Sequence, residues 1–374
     1  MSKPIQTCIL GTGLSGLTFH APFILALPEL FNLHSVLERS PKTPGGKLND
    51  RFGVSVKIHN SLDAILADNE VELIIVGTPS DTHYAFAKAA LEAGKHVLVD
   101  KPVTATAAEA KELGEIAKQR GLVLYAFQNR RWDSDFLALR RLLDLPKSSP
   151  ESLGDVVEFE SHYDRYRNSI RGSWKDEGRP ATGQTYDLGA HLIDQTLALF
   201  GKPAKLTAFL QNVRGLGDPK LDDAFTIILQ YPAGSALPYP LTAILRAHVL
   251  SAKSPQLRYL VRGTKGTYTK YGLDVQEDQL KAMASPQGIF QEDFGKEAES
   301  IWGTIETIQE DQVTVNKSIW PSTEPGCYVS LFRNLAAAIR DKAELAVKWE
   351  EATAVIEIVE LAHKSSEEGI TISL

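Results

Sequence analysis

The sequence predicts a two-domain α/β protein: a doubly wound parallel sheet, then a second α/β domain on a large, mostly antiparallel sheet with one solvated or partner-covered face. Three observations carry this. A chain of 374 residues exceeds the roughly 250 to 300 at which one hydrophobic core stops growing. Through residue 128, short β-branched runs alternate with helical stretches, the pattern of βαβ units. Beyond that point the strand runs alternate in polarity, as antiparallel strands with one wet face do.

In chain order, IQTCILG, FNLHSVLE, VSVKIH, VELIIVGTP, KHVLVDKP and GLVLYAF read as parallel strands. SLDAILADN and DTHYAFAKAALEAG read as helices between them, the second with Asp81 as N-cap and Gly94 as its stop. Residues 40–53, SPKTPGGKLNDRFG, are rich in proline and glycine and read as a flexible connection. Pro22 would remove a hydrogen bond inside the first helix, so that helix is expected to kink or split at HAPF. FLALRRLLDL reads as a helix. Strands follow near 155–163, 204–214, 222–231, 241–250 and 256–262, with a turn at PAGSALPYP. A last helix over 349–366 puts Ala352, Val355, Ile356, Val359 and Leu361 at near-helical spacing.

Composition narrows the function classes. The chain is 43% hydrophobic and 23% charged, with no apolar run of the ~18 residues that span a bilayer. The N-terminus enters a strand-like run without the basic segment and apolar core of a secretory signal, so a cytoplasmic protein is expected. Cys8 and Cys327 allow at most one disulfide, and neither has the CxxC or Cys/His company of zinc or redox sites. A net charge of −7 argues against a nucleic-acid surface.

The chemistry begins at GTGLSG. Gly11, Gly13, Leu14, Ser15 and Gly16 form a GxGxxG turn between an apolar strand and a helix, the Rossmann arrangement that offers backbone N–H groups to a pyrophosphate. Glu38 ends the second strand, where an acid bonds the ribose hydroxyls of NAD. Arg39 follows and can pair with the 2′-phosphate of NADP instead. Both cofactors stay open, with NADP slightly favoured. Thr78, Pro79 and His83 follow the next strand, and Asp100 and Lys101 end another. All lie on the carboxyl edge, where open parallel sheets bind ligands. A lysine there can bond a substrate hydroxyl and ease loss of its proton.

The second centre is YDLGAHLID. Asp187, His191 and Asp194 fall at i, i+4 and i+7 and share one helix face among leucines and an isoleucine. Read as metal ligands they would suit zinc or manganese, but no further His/Glu cluster with ligand spacing stands out, and no metal is expected. Around them, Asn129, Arg131, Trp132, Tyr163, Arg165 and Trp174 supply donors and aromatic faces suited to gripping a polyol. The arginines equally suit an acidic substrate such as a sugar acid.

GTGLSG, TPSDTH, VDKP in a slot usually written EKP, and GQTYDLGAHLID in the slot of GxxxDxGxHxxD together resemble the Gfo/Idh/MocA oxidoreductases over nearly the whole chain. HAPF, QNRRWDSDF and YDRYR resemble its branch of NADP-dependent inositol dehydrogenases. The resemblance implies a Rossmann domain over residues 1–128 and a substrate-binding and oligomerisation domain with an open, mostly antiparallel sheet over 129–374. The last helix would pack back toward the first domain. It further implies Lys101, Asp187 and His191 as catalytic residues, although Asp100 is shorter than the usual glutamate. The implied reaction moves a hydride between nicotinamide and a secondary hydroxyl of a cyclic polyol or sugar, in a homodimer or homotetramer. A non-catalytic NAD(P)- or sugar-binding regulator on the same fold is the alternative.

Overall fold

A computed structural model describes residues 3–234 and 237–374. Ser235 and Ala236, within the expected PAGSALPYP turn, lie outside the described residues, as do Met1 and Ser2. The chain divides into two compact units.

The first unit holds a six-stranded, wholly parallel sheet of β1 (Ile5–Leu10), β2 (Phe31–Leu37), β3 (Lys57–His59), β4 (Leu73–Val76), β5 (His96–Val99) and β6 (Leu124–Ala126). Its order is β3-β2-β1-β4-β5-β6, reversing direction at β1 and β4. Every residue of β4 and of β6 is buried, as strands covered on both faces require. The first helix is split as HAPF predicts. Ser15–His20 forms wide π-type turns, and α1 (Ala21–Ala26) restarts with Pro22 in its first turn, where a missing N–H costs nothing.

Two local expectations are corrected. The stretch 40–53 contains a helix, α2 (Gly46–Phe52), which buries Leu48 and is stopped by Gly53 in the left-handed region. After α3 (Leu62–Leu66), the cap of α4 (His83–Glu92) is Thr82 rather than Asp81, because a 3₁₀ turn over Ser80–Thr82 precedes it. Gly94 follows the end of α4 with φ +77°, as expected. A helix not singled out in the sequence, α5 (Ala107–Arg120), has a reciprocal capping box. Thr106 Oγ1 accepts from the Glu109 N–H at 3.2 Å, and Glu109 Oε2 accepts from the Thr106 N–H at 3.0 Å.

The second unit carries α6 (Ser134–Leu143), α7 (Ala190–Phe200) and a nine-stranded sheet. Its strands are β7 (Val156–His162), β8 (Lys205–Gln211), β9 (Ala224–Tyr231), β10 (Leu241–His248), β11 (Leu257–Gly263), β12 (Gly266–Tyr271), β13 (Gly303–Ile308), β14 (Val315–Trp320) and β15 (Ile372–Ser373). The order is β14-β13-β12-β11-β7-β10-β9-β8-β15, antiparallel except where β7 meets β10. Along β10, Leu241, Ala243, Leu245 and Ala247 are buried while Arg246 is exposed, the alternation that marked this sheet in the sequence.

A cut near residue 128 assigns everything later to the second unit, and the fold differs from this. Val275–Gly295, with α8 (Gln276–Ala282), and Cys327–Ile356, with α9 (Val329–Asp341) and the start of α10 (Trp349–Glu368), belong to the first unit. Specific bonds hold them there. Arg51 Nη2 donates to the Leu280 carbonyl at 2.7 Å, Tyr125 Oη to Asn334 Oδ1 at 2.8 Å, and Trp349 Nε1 to the Ala110 carbonyl at 2.7 Å. Among the described residues no helix is long and apolar enough to cross a membrane, and Cys8 and Cys327 are both free thiols.

Candidate active site

In the first unit, β1 ends at the glycine turn. Gly11 has φ +95°, and a Cβ on Gly16 would stand 2.0 Å from the Gly11 carbonyl oxygen, so the fold itself demands these two glycines. Gly13 differs. A Cβ there would meet nothing within 4 Å, so protein packing does not demand a glycine at this position. Beside it, Leu14 leaves 61% of its surface in solvent.

The loop is tied down by Asp100. Ser15 Oγ donates a short hydrogen bond to Asp100 Oδ2, His20 Nε2 lies 3.7 Å from the same oxygen, and the Lys101 N–H donates to Oδ1 at 2.8 Å. Burial pushes the Asp100 carboxyl up, but His20, Ser15 and the charge of His83 outweigh it and hold the group well below its usual range. Lys101 follows at half-burial, and its bond to Pro102 is cis. His83 is buried with one ring nitrogen 2.8 Å from the Pro102 carbonyl oxygen and the other 2.9 Å from that of Thr78. Both nitrogens are engaged inside the fold, so His83 clamps two strand-end loops together.

Glu38 is buried, and its Oε2 accepts from the Lys47 N–H at 3.1 Å. Its Oε1 is buried without a hydrogen-bond partner among the described residues, which suits an acceptor for ribose hydroxyls. Arg39 is exposed. Thr78 and Pro79 follow β4, with Thr78 Oγ1 2.6 Å from Thr82 Oγ1. The glycine cradle and the orphaned Glu38 oxygen fit a dinucleotide.

In the second unit, Thr185–Gly189 makes wide π-type turns that run on into α7. Asp222 Oδ2 anchors this start by accepting from the Thr185 N–H at 2.7 Å and Thr185 Oγ1 at 2.8 Å. Burial pushes the Asp222 carboxyl up, and these bonds act against it. Asp187 Oδ1 accepts from Lys175 Nζ at 2.9 Å, and Asp187 Oδ2 lies 3.6 Å from Arg171 Nη2. His191 is only 5% exposed.

One turn on, Asp194 is gripped by Arg131, Nη2 to Oδ1 at 2.7 Å and Nε to Oδ2 at 2.9 Å. This pairing gives Asp194 a structural partner, and it commits the guanidinium of Arg131, expected to face substrate, to the helix. Gln195 fixes the next position. Its Oε1 accepts from Arg258 Nη2 at 2.7 Å and Tyr259 Oη at 3.1 Å, while its Nε2 donates to the Arg130 carbonyl at 2.8 Å. Tyr163 is buried, accepting from Arg130 Nη2 at 2.7 Å. Arg165 Nη2 donates to Gln184 Oε1 at 2.9 Å, Trp132 and Trp174 are half-buried, and Asn129 is buried where the chain leaves the first unit.

Lys175, Arg171 and Asp222 carry no signal in the sequence, because each lies 12 to 37 positions from the residue it meets. Among the described residues, the group of metal-ligating side chains close enough to share an ion is His34, Asp68 and Glu70, far in sequence from α7. Lys57 Nζ already occupies Asp68 Oδ2 at 2.8 Å.

Comparison with known proteins matches residues 5–128 to the NAD-binding Rossmann fold of the Gfo/Idh/MocA oxidoreductase family and residues 149–374 to that family's C-terminal alpha/beta domain. An uncharacterised oxidoreductase of Schizosaccharomyces pombe is 39% identical over 99% of this chain and 100% of its own. The NADP-dependent scyllo-inositol 2-dehydrogenase IolW of Bacillus subtilis is 36% identical over 99% of this chain and 96% of its own. The structure of YvaA of Bacillus subtilis superposes with a TM-score of 0.88 at 34% identity, covering all of this chain and 99% of that one.

Proposed function

This chain belongs to the Gfo/Idh/MocA oxidoreductases, enzymes that bind NAD(P) and act on small molecules, and from that premise we propose that it oxidises a secondary hydroxyl, or reduces the corresponding carbonyl, of a cyclic polyol or sugar. The nicotinamide, when bound, supplies the hydride acceptor. His191 takes the hydroxyl proton as the C–H electron pair leaves, and returns it in reduction. Asp187 orients the hydroxyl and compensates the imidazolium, and Lys101 donates to the developing alkoxide. The observation that carries this reading is that Asp187 and His191 stand one turn apart where the turns of Thr185–Gly189 run on into α7, a start held by Asp222 and with Lys175 Nζ 2.9 Å from Asp187 Oδ1.

NADP or NAD is the cofactor, with NADP slightly favoured, held around Gly11, Gly13, Leu14, Ser15 and Gly16. The protein works in the cytoplasm. It assembles as a homodimer or homotetramer through the open face of the nine-stranded sheet, where Phe209 is 56% and Ile319 64% exposed.

Purified protein supplied with NADP or NAD and a panel of inositols and aldoses should generate reduced cofactor. His191→Ala should lower turnover by about 10² to 10⁴ while leaving cofactor affinity intact. Wild-type turnover in that variant would remove His191 from proton transfer.

A further inference from the structure

The stretch after β7 stays extended. The Tyr163, Arg165 and Arg167 N–H groups donate in turn to the carbonyls of Arg246, His248 and Val249, so these three side chains share one side. Asp164 belongs to the opposite side, with Oδ2 3.4 Å from His162 Nδ1. Arg167 is half-buried, and its guanidinium makes no hydrogen bond or ion pair among the described residues. Its neighbours are cations. Burial, then the charges of Arg171, Arg165 and Arg214, disfavour its protonated form, and Asp187 acts the other way.

The nearby acids are committed elsewhere. Asp223 Oδ2 accepts from Arg214 Nε at 2.7 Å, and the two oxygens of Asp187 face Lys175 and Arg171. Arginine does not relieve such repulsion by losing its proton. A half-buried guanidinium held among like charges, in a chain whose net charge is −7, is therefore a local device that an anion would complete. The acidic whole speaks against nucleic acid as that anion. Asp187, which the proposed reaction places on the substrate hydroxyl, faces Arg171 at 3.6 Å and Lys175 at 2.9 Å and favours the charge of Arg167.

We propose that Arg167, with Arg171 and Lys175, recognises an oxyanion carried by the substrate, a carboxylate or a phosphate ester on the same polyol or sugar whose hydroxyl meets Asp187 and His191. The inference rests on the oxidoreductase reading above and narrows its substrate to acidic sugars or polyols. Guanidinium forks match carboxylate and phosphate geometry, and such charge-assisted bonds outlast competition with water where neutral hydroxyl contacts do not.

The test is calorimetric titration of the NADP-loaded protein with two matched pairs, glucose against glucuronate and myo-inositol against an inositol monophosphate. At least one anion should bind about 10-fold or more tightly than its neutral parent, and added salt should shrink that margin. Arg167→Gln should bring the ratio to within about 2-fold, and Arg167→Lys should keep part of it. Preference for glucuronate alone identifies a carboxylate, and preference for the phosphate alone a phosphate ester. Equal binding within both pairs, no binding of either anion, or a preference that survives Arg167→Gln overturns the inference. Because the readout is binding, a failure of every sugar and polyol to reduce NADP would sink the reaction proposed above while leaving this result standing.

Discussion

The ammonium of Lys175 lies 2.9 Å from Oδ1 of Asp187, and through that contact a surface turn, Trp174–Asp176, reaches the carboxylate at the head of the proposed catalytic helix. A charge-assisted bond of this kind fixes one rotamer of Asp187. Net contributions of about 1.5 to 3 kcal/mol are typical, so Lys175→Met should cost roughly 10-fold or more in kcat/KM. Asp187→Asn should cost more, about 10² or beyond, since it also removes the charge that compensates the imidazolium. Steady-state rates with one substrate check both, and an unchanged rate in Lys175→Met would reduce Lys175 to a surface contact.

Asp100 ties the glycine loop to the end of β5 through Ser15, so Asp100→Ala should raise the cofactor KM and cost about 1 to 3 kcal/mol of stability. The pH dependence has a definite sign. The folded carboxyl ionises below its unfolded value of 3.8, so its contribution is complete above that value and is lost only as pH falls through the depressed folded value. Urea midpoints for wild type and variant should therefore differ by a constant margin in neutral and mildly acidic buffers and converge in strong acid. A margin that collapsed already near neutrality would contradict the ion's role.

Glu38 and Arg39 make opposite bids for the adenosine ribose. Glu38 is buried with Oε1 lacking a partner among the described residues, while Arg39 is exposed. Arg39→Ala should lower kcat/KM for NADP about 10-fold and leave NAD nearly untouched, the loss expected for a guanidinium contact to phosphate. Equal effects on the two cofactors would remove Arg39 from that role.

Much of this was legible because it is local. GTGLSG sits directly after β1, Pro22 marks the split first helix, and the alternation in β10 shows its buried face. What was illegible is tertiary. α2 hides in a stretch rich in proline and glycine, with one buried leucine, Leu48, to betray it. α8 and α9 join the first unit through bonds to Arg51 and Tyr125, each more than 200 positions away. The role of Asp194 followed the same logic. Spacing put it on a face with His191, and only the fold brought Arg131 to it from 63 positions back.

Lys270, on β12, and Glu297 serve the sheet rather than the site. Lys270 Nζ lies 3.1 Å from Glu297 Oε2, and both side chains are fully buried. Burial pushes the Glu297 carboxyl up to about 7, with Asp135 adding to the rise and Lys270 opposing it. The folded state thus holds a proton that the unfolded chain releases near 4.5, so this group favours folding most below 4.5 and loses its contribution as pH climbs to about 7. Lys270→Met removes the opposing charge and pushes the carboxyl up further, so at pH well above 7 the fold must bury a bare carboxylate or take up a proton, which should cost about 3 to 5 kcal/mol. Protonation relieves that penalty, so the loss should be clearly smaller in mildly acidic buffer. Replacing Glu297 by Met as well should restore most of the stability, because a buried pair exchanged for apolar side chains is often neutral. Urea unfolding of both variants at two pH values decides it. An equal loss at both would mean that Glu297 is not the group left stranded.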